Sequence, residues 1–526
     1  MNFTEKLAQF KPNPSLEKWL LEQLQTAQES VSQRDQILLK KEAELHCAKL
    51  KIDALMFELA YHKRIKFGAK AEAFTSIQKD LFMESCEVDL AAMQAELAKL
   101  TSTPAAPRVK ATPTGRQTLP AELPRIEHRH EPESCTCGKC GTALVQIGED
   151  ISEQLDVEPA RFFVHQHIRP QYACRSCETI TAAPIPAAVI DGGLAAPGLH
   201  AWVVIQKYLD HLPLYRIEQI STRHGVKIAR STLSEWIGRI GVALQPLVDR
   251  LAELLRQRNV LHADETPVQQ LDPGQGKTKR AYLWAYRSNV FDIAPPIVIF
   301  EYQPGRGGIH VKSFLSDWQG HLMVDDYAGY KALFKHGIIE LACLAHVRRK
   351  FFDLHAANGH LVAAEALRRI AELYQLETAA VDFTTLQRHQ WRTEHAAPKL
   401  ASLHTWLCHI RSNTADGSSL AKAIDYGLKR WIAIERYANS GHLPIDNNPI
   451  ENAIRPIAIG KKNWLFAGSE RAGKRAAAIQ SLLATAKANG IEPLAWLKQT
   501  LEILPSHPNS RIDELLPLRT TSISAG

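Results

Sequence analysis

No run of about eighteen apolar residues occurs in the 526-residue sequence, so no segment is long enough to cross a bilayer as a helix. No apolar leader stands at the N-terminus, and a cytoplasmic location without membrane partners is expected. A large excess of one charge is missing as well. Lys and Arg number 63 against 56 Asp and Glu, a formal net charge of +7. That balance suits a polyanionic partner without demanding one. The mix of 45% hydrophobic and 23% charged residues is that of an ordinary globular protein. The length exceeds one ordinary core, so several domains are expected.

Proline is absent from Leu16 to Leu100, a stretch rich in Leu, Glu, Gln, Lys and Ala. Leu24, Val31, Leu38, Leu45, Ile52 and Leu59 recur every seven residues. Residues 1–100 are therefore expected to form a long helix. It either pairs as a coiled coil, giving a homo-oligomer, or folds back on its own chain, since Arg34 and Lys41 interrupt the companion seam. Pro104, Pro107, Pro113, Pro120 and Pro124 mark 101–124 as a linker.

Nine cysteines are present, and Cys137-Gly-Lys-Cys140 and Cys174-Arg-Ser-Cys177 are two C-x-x-C pairs. Four thiolates so spaced suit one tetrahedral Zn2+, and Gly138 and Gly141 permit the tight turn of a knuckle. Between the pairs, Gln154–Val157 and Arg161–Ile168 alternate like hairpin strands. Residues 125–192 thus read as a zinc-ribbon-like module with one structural zinc on Cys137, Cys140, Cys174 and Cys177, Cys135 being an alternative to Cys137. Basic neighbours Arg161, His165, His167, Arg169 and Arg175 favour DNA contact; a module that merely braces the fold is the other reading.

Residues 193–258 read as helical. Ile217–Gly225, then Ser231 and Thr232–Ile237, have the outline of a helix-turn-helix with a Ser-capped second helix, an outline shared by helix pairs that only pack. From Val260 the pattern turns to strands: Val260–Gln270, Arg280–Arg287 and Pro296–Tyr302, then a helix over Gly308–Trp318, then His321–Val324 and Ile338–Leu344. Three antiparallel-looking strands, a helix and more strands suggest a mixed sheet flanked by helices, the order expected of a ribonuclease H-like core. Helices follow from about 352 to 441, an insertion in a catalytic domain spanning 259–475. Lys461–Arg475 is basic and glycine-punctuated. Residues 476–526 close the chain with a helix over Ala476–Lys487 and a loose Pro- and Ser-containing tail. The fold class is multidomain α+β.

Val260, His262 and Asp264 share one strand face, and a carboxylate on a buried strand is costly unless it is paired or coordinates a metal. Val324-Asp-Asp-Tyr327 and Asn447-Asn-Pro-Ile-Glu451 supply further acids. Asp264, Asp325 and Glu451 together suit two Mg2+ (or Mn2+) ions. Two such ions, roughly 3.5–4 Å apart, make a nucleophile from water and relieve the leaving 3′ oxygen in phosphodiester cleavage. Asp264 then bridges both ions, Asp325 binds one and Glu451 the other. Each acid has another reading. Asp264 caps a turn before Pro267, Asp326 replaces Asp325, and Glu451 completes a capping box with Asn448 as N-cap and Pro449 at N1, or pairs with Arg455. A structure-specific nuclease and a non-catalytic zinc-containing DNA-binding protein are the competing functions.

His262-Ala-Asp-Glu-Thr-Pro-Val268, with Leu283-Trp284 after it, resembles the first catalytic block of transposases of the insertion sequence 66 family. Val324-Asp-Asp-Tyr-Ala-Gly-Tyr330 is similar to the second block, and Ala345-His-Val-Arg-Arg-Lys-Phe351 to a histidine–arginine block. Asp446-Asn-Asn-Pro-Ile-Glu451 and Gly460-Lys-Lys-Asn-Trp-Leu-Phe-Ala-Gly-Ser469 resemble the third. The family usually has glycine where Asp326 stands, which makes Asp325 the matching acid; Asn452 stands where arginine is frequent. The resemblance covers almost the whole chain. It implies a DDE-type, three-acid transposase that acts on double-stranded DNA at element ends and target, with co-encoded accessory proteins as further partners. His346, Arg348, Arg349, Lys461 and Lys462 are then candidates for holding phosphates. Trp464 is a candidate for stacking on an unpaired base, or else a buried aromatic.

Overall fold

A computed structural model describes scattered positions between 19 and 48 and, from 119 to 519, all residues except 120, 122, 132–138, 159–160, 185 and 273–276. The helix expected over 1–100 and the linker over 101–124 lie largely outside the described residues; the described positions between 19 and 48 are helical. Among the described residues no helix is long and apolar enough to cross a membrane.

The first sheet comprises β1 (Arg125–Arg129), β2 (Val145–Glu158), β3 (Arg161–Ala173) and β4 (Ile180–Ala182). β2 and β3 form an antiparallel hairpin longer than the alternation suggests, and β1 runs parallel to β3. The hairpin's turn end buries Leu155, Phe162 and Val164 in the main core; its open end carries the cysteines.

Three helices follow: α1 (Pro197–Tyr208), α2 (Leu214–Arg223) and α3 (Arg230–Leu255). Gly225, at φ +81°, makes the turn between α2 and α3. The expected serine cap is not found. Ala229 is the N-cap of α3, with no side-chain bond, and Ser231 lies inside the helix. Leu233, Trp236, Ile237, Ile240, Leu244, Leu247, Leu251 and Leu255 bury one stripe of α3 in the core. That stripe repeats at helical spacing, so packing commits this face of the helix.

The second sheet contains β5 (Val260–Asp272), β6 (Lys277–Ser288), β7 (Val298–Gln303), β8 (His321–Val324) and β9 (Ile339–Ala342), with α4 (Gly308–Leu315) between β7 and β8. Its order is β7-β6-β5-β8-β9. β6 is antiparallel to both neighbours, whereas β8 and β9 run parallel to β5. Strand alternation sends Leu261, Ala263, Trp284 and Ile299 into the core on the α3 side. Val268, Leu283, Val298 and Phe300 face the other way. Pro267 sits inside β5 opposite Tyr282. Pairing with β8 ends at His262, so the missing N–H falls where no strand stands alongside. The strand continues through Pro267, which removes the turn-cap reading of Asp264.

Between β9 and the third acid come α5 (Leu344–Asn358), α6 (Leu361–Ala379), α7 (Thr385–Trp391), a π turn (Arg392–Ala396), α8 (Ala397–Ser412), α9 (Ser419–Leu428) and α10 (Trp431–Glu435). Arg392, 0% exposed, ties this segment together. Its Nε donates to Glu377 at 2.8 Å, and its Nη1 donates to the carbonyls of Tyr437 and Leu443 at 3.1 and 2.8 Å. Arg392→Met is expected to lower stability by about 3–5 kcal/mol, because Glu377 would be left as an unpaired, largely buried charge. Urea unfolding checks this; a loss below about 1 kcal/mol would contradict it.

The chain ends with α11 (Asn448–Trp464), α12 (Glu470–Ala488) and α13 (Pro493–Ile503). α12 starts six residues before the expected Ala476, because Ser469 caps it, accepting from the Ala472 N–H at 3.0 Å. Along β7, the Ser481 hydroxyl accepts from the Phe300 N–H at 2.8 Å and the Thr485 hydroxyl from the Val298 N–H at 3.0 Å. The tail is not loose up to residue 519. Leu515 and Leu516 are buried, Trp496 Nε1 donates to the Leu515 carbonyl at 3.1 Å, and Arg250 grips Asp513 at 2.7 and 3.0 Å.

Candidate active site

The pairing of β5 with β8 runs Val260 to His321, Leu261 to Leu322 and His262 to Met323. Two residues further along both strands stand Asp264 and Asp325, so parallel register sets these acids side by side. Asp325 Oδ1 accepts from the Tyr327 N–H at 2.9 Å, holding the chain in a turn just past β8. Asp326 instead faces Lys331 at 3.5 Å. Burial raises the Asp264 carboxyl to about 8, helped by the negative charges of Glu265, Asp325 and Glu451, against one opposing bond from the Glu265 N–H.

Glu451 arrives on the first turn of α11. The N-cap of that helix is Asn447, one residue before the expected Asn448, and it makes no side-chain cap. The Asn447 side chain is used elsewhere. Its Nδ2 donates to the Ala263 carbonyl at 2.9 Å, which turns Oδ1 toward His262 Nδ1, also at 2.9 Å. The imidazole therefore donates from Nδ1. Burial pushes His262 down to about 4, so the ring is neutral. The Asn447 N–H donates to Cys343 Sγ at 3.2 Å. His262, Cys343 and Asn447 are each 0% exposed. They join the strand of Asp264, the start of α5 and the start of α11 in one buried knot. The capping-box reading of Glu451 fails: with Asn447 as N-cap, Glu451 stands fourth in the helix, and the Asn448 N–H and side-chain amide donate to Asp446 at 3.1 and 2.7 Å. Around Glu451 stand His346, with Nδ1 at 3.6 Å from Oε1, and the exposed Arg349, with Nη2 at 3.6 Å from Oε2.

The opposite face of β5 holds a network that the sequence reading did not single out. The Glu265 side chain is 1% exposed and pairs with Arg306 at 2.6 Å. Tyr330 donates to it at 2.8 Å, and the Arg306 guanidinium lies 3.8 Å from the Tyr327 ring centre. This network ties the turn after Asp325 to the residue after Asp264. Period-two alternation placed Glu265 on that face, but no local pattern names a partner 41 residues away.

The residues expected to hold phosphates are dispersed. His346 is half-buried against Glu451, whereas Arg348, Arg349 and Lys462 are exposed. Lys461 donates to the Pro267 carbonyl at 2.9 Å. Trp464 is half-buried and lines, with Tyr208, Tyr302 and Phe466, a largely apolar cavity of about 90 Å³.

In the first sheet, Cys140 Sγ lies 3.3 Å from Cys174 Sγ and 3.8 Å from Cys177 Sγ. Sulfurs on a tetrahedral zinc stand about 3.8 Å apart, so the three thiols fit a structural zinc. Cys135 and Cys137 lie outside the described residues. His165 and His167 are engaged with neighbours inside the sheet. His165 Nδ1 meets His128 Nε2 at 2.7 Å, and its Nε2 meets Asp156 at 2.8 Å. His167 Nδ1 meets His130 Nε2 at 2.9 Å, and burial pushes His167 down to about 4.

Comparison with known proteins agrees along the chain. The family model described as Transposase IS66 family matches residues 192–475, and the zinc-finger binding domain of transposase IS66 matches 134–178. The IS66 C-terminal element matches 481–518, and a model described as Transposase C of IS166 homeodomain matches 54–127. Two Sinorhizobium fredii proteins are similar over most of their lengths. Uncharacterized protein y4qI is 38% identical over 472 residues, 86% of each chain. Uncharacterized protein y4jD is 35% identical over 489 residues, 88% of this chain and 94% of the other.

Proposed function

The chain belongs to the IS66 transposase family, and from that membership we propose that it is a catalytic transposase. In this reading it binds the ends of its element and performs metal-dependent DNA strand cleavage and strand transfer at Asp264, Asp325 and Glu451. The core is then ribonuclease H-like. In support, three antiparallel strands are followed by two that run parallel to the first, and Asp264 and Asp325 come just beyond the stretch where β5 pairs with β8.

The observation that carries the reading is the state of Asp264. Burial and three neighbouring carboxylates raise it to about 8, a cost that a bound divalent cation would reverse. The donors are hard oxygens, which suits Mg2+ or Mn2+. When bound, two such cations supply nucleophile activation and charge relief at the leaving 3′ oxygen. Asp264, Asp325 and Glu451 would be the residues that hold them, Asp264 shared by both and Asp325 and Glu451 each serving one. His262 and Asn447 keep the start of α11 locked to the strand of Asp264. Arg349, exposed beside Glu451, and Arg348 on the same helix offer cations to DNA phosphates, as do Lys461 and Lys462. Trp464 offers a ring to an unpaired base.

Purified protein incubated with magnesium and duplexes bearing the element's ends is expected to yield nicks with 3′ hydroxyls and then joined products. Binding without metal-dependent nicking would establish a non-catalytic zinc-containing binder instead. Nicking with no joining of pre-cut ends would establish a nuclease.

A further inference from the structure

Glu451 Oε1 and His346 Nδ1 are buried polar atoms without a hydrogen-bond partner among the described residues. They face each other at 3.6 Å. That is too long for a hydrogen bond, and a bridging water would hold its partners roughly 4.5 Å apart. Two neighbouring ligands of one cation fit it better: at about 2.1 Å from an ion and subtending about 90–115°, they stand roughly 3.0–3.5 Å apart. Cys343 Sγ lies within 4.8 Å of both, but it already accepts the Asn447 N–H. It forms the floor of the site and fixes the first turn of α5, where His346 is presented.

We propose that His346, through Nδ1, is a ligand of the cation held by Glu451, so that this side of the site carries a nitrogen donor as well as carboxylates. The inference rests on the three-acid reading above. Coordination through Nδ1 places the ring proton on Nε2. Magnesium strongly favours oxygen donors, whereas imidazole suits the later transition metals. The site should accordingly prefer Mn2+ to Mg2+, and His346 acts on the cation before it acts on DNA.

The test titrates full-length, zinc-loaded protein with MnCl2 or MgCl2, without DNA, and follows binding by calorimetry and bound Mn2+ by pulsed EPR. Wild-type protein is expected to show 14N coupling to Mn2+. His346→Gln should lose that coupling and bind Mn2+ at least about tenfold more weakly, with Mg2+ affinity changing less than Mn2+ affinity. His346→Asp should restore tight binding and turn the preference toward Mg2+. Should His346→Gln not fold, the wild-type spectrum still decides: bound Mn2+ without 14N coupling overturns the proposal. Coupling that persists in a folded His346→Gln overturns it too. Asp264→Asn separates the two levels. If it removes Mn2+ binding while the wild type shows no nitrogen, only the His346 ligand falls. If Mn2+ binding ignores Asp264→Asn, the three-acid reading falls and takes this inference with it.

Discussion

Asp264→Asn is expected to reduce strand cleavage and joining by on the order of 10³-fold or more, to leave binding of element ends intact, and to make the metal-free protein more stable. The last result separates a metal ligand from an ordinary structural acid. Asp264 keeps its proton to about 8 in the fold, against an ordinary 3.8. Above about pH 4 the unfolded chain has given up a proton that the folded chain still holds, so this group's contribution to stability is complete below about pH 4 and is lost as pH rises through about 8. Asparagine has no proton to lose. Its advantage should be near zero at pH 4 and reach roughly 2–4 kcal/mol at pH 8. Urea unfolding in magnesium-free buffer at the two pH values measures it. A variant destabilised equally at both would mean that the Asp264 carboxylate supports the fold rather than a cation.

Cys174→Ser with Cys177→Ser is expected to take zinc from about one per chain to almost none and to melt the open end of the β2–β3 hairpin. Around the thiols the apolar packing is slight: Leu144 and Cys174 are buried there, with Tyr172 partly buried against them. So small a cluster leaves the hairpin end weakly held, and on the zinc reading the ion supplies the cross-link. The turn end of the same hairpin packs into the main core through Leu155, Phe162 and Val164 and should survive. Hydrogen exchange should show protection falling by about 10²-fold or more at 139–146 and 171–182, with α3 unchanged. Full protection at the hairpin end in a zinc-free variant would show that the protein alone closes it.

What could be read from the sequence was what is local. The strand carrying Asp264, β8 ending at Val324, the cysteine pairs and the run of helices before Asn447 all follow from periodicity, spacing or motif. Other features escaped because a side chain's partner lay far away in the chain, while the early start of α12 turned on a local cap at Ser469. Asn448 looks like a cap because Asn, Pro and Glu stand at the right intervals; the helix actually begins where Asn447 reaches back 185 residues to His262. The glycines at 468 and 473 punctuate a basic stretch placed before the helix expected from Ala476. Gly473 is helical, and a Cβ there would sit 2.4 Å from the Tyr302 ring, so the residue is small for packing and not for bending. The last residues look loose by composition, yet Leu515 and Trp496 find each other across α13 and its turn.

The hydroxyls of Ser481 and Thr485 are made long after the strand they cover, 181 and 187 residues later than the amides of Phe300 and Val298. At roughly 5–20 residues per second of synthesis, a growing polypeptide carries that flank uncapped for roughly 10–40 seconds. Nascent siblings on one messenger are then close enough to zip together along it. A polypeptide that stops before residue 481 lacks that cover, and the β7 edge amides of Val298 and Phe300 stay open to a partner strand.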